Sequence, residues 1–331
     1  MISRRHLRIK VKQALYGYFQ SNEKNIVSCE KELTKSVENL YDSYLLIFLF
    51  LQELSEISRI YAEDKPEKHI KVFMAPKTNN RFYENRVLQL IINDKSFEDL
   101  CKRRHLTWLP ESDVIKKVFN ELKESKTYIK YCWKDNSTFD EDIEFISSSL
   151  KDVLFDSQLF QDIMEDKCIS WVDDKELVQG MIFKTIKSIN DNSKTTPLMP
   201  LFKEEDDKIF MSELFRKTII NDKEFDERIS KKTINWDLDR IAFMDIILMK
   251  MALAELISFP EIPEKVTINE FLDIAKKYST EGSSNFINGI IDKVRMDYET
   301  EGVINKTGKG LIVKEKNNKP TGSKKKKKYY K

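Results

Sequence analysis

Residues 262–294 read IPEKVTINEFLDIAKKYSTEGSSNFINGIIDKV, and their spacing decides the fold class. Ile268, Phe271, Leu272 and Ala275 recur at helical intervals and make one apolar face. The turn-forming run STEGSSN (279–285) breaks that periodicity, and Phe286, Ile287, Ile290 and Ile291 begin a second apolar face. Asn269 and Asn288 sit beside apolar neighbours and suit local hydrogen bonding. Phe286 has two readings, packing inward or standing at the helix start as an exposed platform.

Outward from this stretch the same pattern continues. Helices are expected at 4–20, 30–62, 208–229, 237–257, 267–278 and 284–298, with further segments across 82–190 interrupted at 106–113 and 133–138. Pro66, Pro76, Asn79 and Asn80 break the pattern after the second helix, and 191–207 reads as a linker. No segment alternates as a strand does. The expected fold class is all-α, with a polar, lysine-rich and mobile tail after about residue 302.

Composition agrees with a helical reading. The 331 residues are 40% hydrophobic, enough for a real core, yet hold only 8 Gly and 8 Pro. Six glycines fall at or after Gly282, so turn-rich β architectures and glycine-cradled nucleotide sites are disfavoured. Neither GxGxxG nor GxxxxGK[ST] occurs. The longest apolar run, LLIFLFL at 45–51, is far shorter than the ~18 residues that span a bilayer. Cys29, Cys101, Cys132 and Cys168 are dispersed, which fits a reducing compartment, and a cytoplasmic location without membrane contact is expected.

Catalysis has little to draw on. The three histidines, His6, His69 and His105, lie in separate segments, and no nucleophile motif accompanies them. Cys101 and His105 have metal-like spacing but no second pair, so neither metal nor cofactor is expected, and no enzyme activity.

Charge is distributed unevenly. Residues 1–22 carry +5 and residues 303–331 carry +10, against a chain total of +2, which leaves −13 for 23–302. Basic arms on an acidic body suit contact with a polyanion through the ends. On the first helix Arg5, Arg8, Lys12, Tyr16 and Phe19 form a stripe beside the apolar positions Leu7, Val11, Ala14, Leu15 and Tyr18. Cations with interleaved aromatics grip phosphates and stack bases. Cations in a first helical turn oppose the macrodipole by about 0.3–1 kcal/mol each, so stability alone does not favour them there.

An internal repeat at an offset of 65 residues is suggested by 145–175 and 210–240, which align without a gap. Phe145/Phe210, Ser147/Ser212, Phe160/Phe225, Lys167/Lys232, Trp171/Trp236 and Asp174/Asp239 are identical.

Together these residues resemble a known family. The 262–294 stretch is similar to the C-terminal motif of the NusB family of bacterial transcription antitermination factors, P-x-K-V-x-I-N-E … A-K … F-V-N-G-x-L-D-K. FMSELF (210–215) and DRIAFMDIILMKMALAEL (239–256) resemble the two preceding helices, and RRHLRIKVKQALYGYFQ (4–20) resembles the arginine-rich first helix. The likeness is strong over 205–296, clear over 3–20 and loose over 30–60.

The resemblance implies a non-enzymatic helical bundle of two subdomains with a large helical insertion. The expected division is 1–61 as the N-terminal half, 62–204 as the insertion ending in a linker, 205–300 as the C-terminal half, and 301–331 as the tail. The copied helices lack INE and FxNG sequences, so no second RNA site is expected in them. The implied function is binding of boxA-type single-stranded RNA of ribosomal RNA leaders, with a ribosomal protein in the NusE role, within the RNA polymerase antitermination complex. RNA contacts are implied for Arg4, Arg5, Arg8, Tyr16, Ser283 and Phe286, and the basic stripe adds Lys12 to that expected set. His6 stands where another arginine is usual, and Gly282 where an acidic residue is common. Partner contacts are assigned to Asp239, Asp245 and Glu255, although Asp245, on an apolar stripe, also suits a paired, buried carboxylate. The rival reading is a helical adaptor that binds only proteins, with a nonspecific polybasic tail.

Overall fold

The computed structural model describes residues 1–63, 80–134, 136–233 and 241–311, and all regular secondary structure within them is helical. The helices are α1 (Arg4–Gln20), α2 (Ile26–Glu63), α3 (Arg86–Ile92), α4 (Lys95–Arg103), α5 (Ser112–Glu124), α6 (Lys126–Cys132) and α7 (Phe139–Ser149). A π turn at Leu150–Leu154 follows, then α8 (Gln158–Lys167), α9 (Trp171–Ser188), α10 (Glu205–Ile220), α11 (Asp222–Lys232), α12 (Phe243–Ser258), α13 (Glu264–Tyr278) and α14 (Ser283–Thr300). The all-α expectation holds. The expected break at Pro66, Pro76 and Asn79 lies outside the described residues.

The chain forms two compact units. One comprises Met1–Ser3 with Val27–Asp207; the other comprises Arg4–Ile26 with the chain from Lys208 onward. The expected boundary near residue 62 is therefore not a boundary between units, because α2 packs with the helices expected as an insertion. Its centre, Tyr44 to Leu54, is apolar around much of its circumference and needs neighbours on several sides. Phe50 packs edge-to-face on Trp108 and Phe160, and Phe48 on Phe97. Trp108 donates its indole N–H to the Leu46 carbonyl at 2.8 Å, and the Tyr44 hydroxyl lies 2.6 Å from Thr185 Oγ1.

In the second unit α12 is the central helix, packed against α1, α11, α13 and α14. Leu248, Ala252, Leu253 and Leu256 are buried on it, and so are Asp245, Lys250 and Glu255. The chain after α14 corrects the expectation of a mobile segment from about 302. Lys306 Nζ donates to the carbonyls of Leu256 and Phe259 at 2.9 and 3.1 Å, capping the end of α12. Thr307 N–H donates to the Pro260 carbonyl, and a Cβ at Gly310 would stand 2.0 Å from that same oxygen, so only glycine fits this approach. The lysine tail proper, from residue 312, lies outside the described residues.

The two stretches joined by the 65-residue offset have matching elements. Phe145 and Phe210, Ile146 and Met211, Leu150 and Phe215, Phe160 and Phe225, and Met164 and Ile229 are buried in both. Trp171 is wholly buried and donates its indole N–H to Gln161 Oε1; Trp236 and Asp239 lie outside the described residues. Trp171→Ala should therefore destabilise the first unit by ~3–5 kcal/mol, as large-to-small changes at such sites do. Urea titration followed by circular dichroism should show the lowered midpoint; an unchanged midpoint would remove Trp171 from the core.

Candidate nucleic-acid interface

The first helix is fixed to the second unit by its cations. The Arg8 guanidinium donates to both carboxylate oxygens of Glu255 at 2.7 Å, with Arg8 3% and Glu255 0% exposed. Thr267 Oγ1 of α13 donates to the same carboxylate at 2.8 Å. Arg8 also lies over the rings of Phe210 and Phe271. One turn earlier, Arg5 donates to both oxygens of Glu270 at 2.8 Å and to Asp273 at 3.0 Å. The hydrogen bonds from Arg5 hold the Glu270 carboxyl below its ordinary range, and the same pairing raises the Arg5 guanidinium.

Further along α1, the Lys12 ammonium sits 3.5 Å from the centroid of the Tyr278 ring, at the end of α13. Tyr16, 44% exposed, meets Phe243 edge-to-face at 5.5 Å. From α12, Asp245 accepts a hydrogen bond from Ser279, and Ser283 Oγ lies 3.2 Å from Ser279 Oγ and 2.7 Å from Thr280 Oγ1. Gly282 caps α14 at φ 89°, a left-handed conformation that a side chain disfavours. That backbone requirement accounts for glycine where the family pattern commonly has an acidic residue.

These contacts bring one flank of α1 together with the α13–α14 turn, but they also revise the site. Arg8, Lys12 and Ser283 are buried, so their side chains serve packing inside the unit and do not face a ligand. Arg4 is half-buried beneath an approach to Phe210 at 5.1 Å, Arg5 is exposed within its ion pairs, and Phe286 is half-buried at the first turn of α14. Asp245 and Glu255 are corrected as partner-binding residues because both are enclosed and hydrogen-bonded. Asp239 lies outside the described residues.

Tyr278, Lys276 and Lys277 border the same turn and were not singled out from sequence. Lys276 and Lys277 are exposed in the last helical turn of α13, where cations complement the macrodipole. A KKY run before a turn is weak as a signal, since helix ends collect lysines for that reason alone.

Other chemistry is sparse. Burial pushes the Cys101 thiol up to about 12 and the Cys132 thiol up to about 11, which keeps both protonated and poorly nucleophilic at neutral pH. Among the described residues no three His, Cys, Asp or Glu side chains gather as a metal site. No helix among them is long and apolar enough to cross a membrane.

Known proteins now bear on this arrangement. The family model described as "NusB family" matches residues 174–296, from α9 to α14. The transcription antitermination protein NusB of Salinibacter ruber is 44% identical over 114 residues, covering 34% of this chain and 71% of that protein. The protein of the same name from Chloroherpeton thalassium is 41% identical over 105 residues, 32% of this chain and 50% of its own length. That of Geobacter sp. (strain M21) is 32% identical over 120 residues, 36% of this chain and 83% of its own. No solved structure matches the chain significantly. The chain belongs to the NusB family.

Three outcomes follow from these buried and paired charges. Glu255→Ala should cost about 3–5 kcal/mol because it strands Arg8 in the interior, and thermal unfolding will read it. Asp245→Lys should likewise unfold or strongly destabilise the second unit; a stable variant would return Asp245 to an accessible surface. The depressed Glu270 carboxyl stabilises the folded state above its unfolded-state pKa, and that contribution is lost as pH falls. Between about pH 6 and about pH 3.5 the unaltered chain should lose more stability than Glu270→Gln, measured as the shift in urea midpoint.

Proposed function

We propose that this chain is a non-enzymatic transcription antitermination factor. It binds boxA-type single-stranded RNA of ribosomal RNA leaders, together with a ribosomal protein in the NusE role, and promotes read-through by RNA polymerase. Family membership supports the antitermination role. The observation that carries the RNA site is the clamp of α1 on α13. Arg5 on Glu270 and Asp273, and Lys12 on Tyr278, hold the helix that carries the exposed Tyr16 against α13, whose end leads into the turn before Phe286.

The division of roles is physical. Arg4 and Lys277 keep accessible charge for phosphates, which positions RNA without reading it, while Arg5 is held in its ion pairs with Glu270 and Asp273. Tyr16 and Phe286 offer faces for bases. The acidic body, −13 over residues 23–302, favours encounter with a basic ribosomal protein.

Fluorescence anisotropy with a boxA-like RNA and its scrambled counterpart tests this reading. The boxA-like RNA should bind more tightly, and the ribosomal protein should tighten it further. Phe286→Ala should weaken binding by ~1–3 kcal/mol without altering the salt slope, the signature of one lost base stack. Arg4→Ala should flatten the salt slope by about 0.7 and affect both RNAs alike. Equal affinity for both RNAs in the presence of the ribosomal protein would refute the assignment. A large loss of melting temperature in Phe286→Ala, with RNA affinity intact when folded, would return Phe286 to the core.

A further inference from the structure

The first unit has a surface that packing leaves unexplained, the solvent face of α6. Ser125 caps this helix by accepting the Tyr128 N–H, and Tyr128, Tyr131 and Cys132 turn inward. Lys126, Ile129 and Lys130, with Trp133 at the helix end, are exposed. Trp133 is 60% exposed, whereas Trp108 and Trp171 of the same unit are wholly buried. Lys126 and Lys130 have no ion-pair partner among the described residues, while Lys134 pairs with Glu141 at 2.5 Å.

Beside this face, α6 and α7 enclose a groove of about 310 Å³. Lys130, Lys134, Glu141 and Glu144 rim it over a floor of Tyr131 and Phe145, whose rings stack at 3.9 Å.

We propose that this face of α6 is a sequence-neutral contact for single-stranded RNA, with Lys126 and Lys130 on phosphates and Trp133 stacked on a base. Lys126 and Lys130 precede Trp133 by seven and three residues, so all three share one side of the helix. An indole face with adjacent unpaired ammonium groups meets both demands of a single strand, π stacking and phosphate neutralisation. Ile129 and Trp133 adjoin one turn apart, but this apolar area is only two side chains wide and is flanked by Lys126 and Lys130, which suits a phosphate backbone with one stacked base better than an apolar protein face. In the groove Glu141 is paired with Lys134, and Glu144 is the other carboxylate that lines it. The surface lies on α6, before the copied α7–α9 helices for which no RNA role is expected. It rests on the functional reading above only in taking single-stranded RNA as the ligand.

The test uses the full chain and an oligouridine of about a dozen nucleotides, a length within the range that such surfaces cover. Binding should quench tryptophan emission, and Trp133→Phe should abolish the part of the quench due to an exposed indole. Trp133→Ala should weaken binding by about 5- to 150-fold, the range for one base stack. Lys126→Gln with Lys130→Gln should flatten the salt slope by about 1.4. Circular dichroism melting should be unchanged in all variants, since none of these side chains is buried. Unchanged quench, affinity and slope, with the unaltered chain still binding, would overturn the α6 contact and leave the boxA reading standing. So would variants that leave RNA binding intact but alter sedimentation, which would make the face a protein interface. Loss of boxA preference with these α6 effects retained would instead overturn the boxA reading alone.

Discussion

A carboxylate with no exposed surface needs a cation, and Glu255 obtains one from the fifth residue of the first helix. Arg8 and Glu255 are 247 positions apart, yet both Glu255 oxygens are taken at 2.7 Å. Burying two charges carries a desolvation penalty that only good geometry offsets. The second unit therefore has one favourable seating for α1, and a slip by a residue would leave two unpaired charges inside. Asp245 and Lys250 are also buried on α12, and each finds a polar partner on another element. At about 100° per residue, steps of five residues turn the helix by about 140°, so the three charges point three ways. Asp245 finds Ser279 beyond α13, Lys250 finds Asp222 and Asp226 of α11, and Glu255 finds Arg8 of α1.

The first unit reaches a unique packing by other means. Its central helix, α2, presents mostly aromatic and aliphatic surface, and shape does the selecting. Hydrogen bonds appear where large rings carry a polar atom inward: Trp108 to the Leu46 carbonyl, and Tyr44 to Thr185. Buried carboxylates add to these: Asp94 accepts the Thr196 N–H, and Asp142 is buried where Tyr131 and Ser137 donate to one of its oxygens and Arg86 to the other. Asp142 ties α3, α6 and α7 together at a single carboxylate.

The sequence made the helical class legible because apolar positions recur at helical spacing on nearly every segment. Helix α1 matches the expected 4–20, and the expected second helix starts four residues late and ends one residue early. The grouping of helices into units was not legible, because which partner buries the Tyr44–Leu54 surface depends on residues far along the chain. The site was only partly legible for the same reason. Arg5, Arg8 and Lys12 form a basic stripe when viewed on their own helix. A cation facing a phosphate and one facing an internal carboxylate look alike in sequence. What separates them is Glu255, Glu270 and Tyr278, more than 240 residues away.

The opposition between those arginines and the helix dipole also changes meaning once the partners are known. Carboxylates from α12 and α13 meet the unfavourable first-turn charges, so stability accounts for Arg5 and Arg8 without any ligand. Their charges are committed, and phosphate attraction must come from the cations left accessible. That set is small, and Asp273 beside Lys276 diminishes it further. A surface with few uncommitted cations and several accessible rings holds a single strand more by stacking than by counterion release. Stacking tolerates sequence, so the proposed preference for boxA-type RNA draws on hydrogen-bonding groups at the α13–α14 turn or on a second protein. In the proposed function, the part given to a protein partner thus follows from how α1 is held.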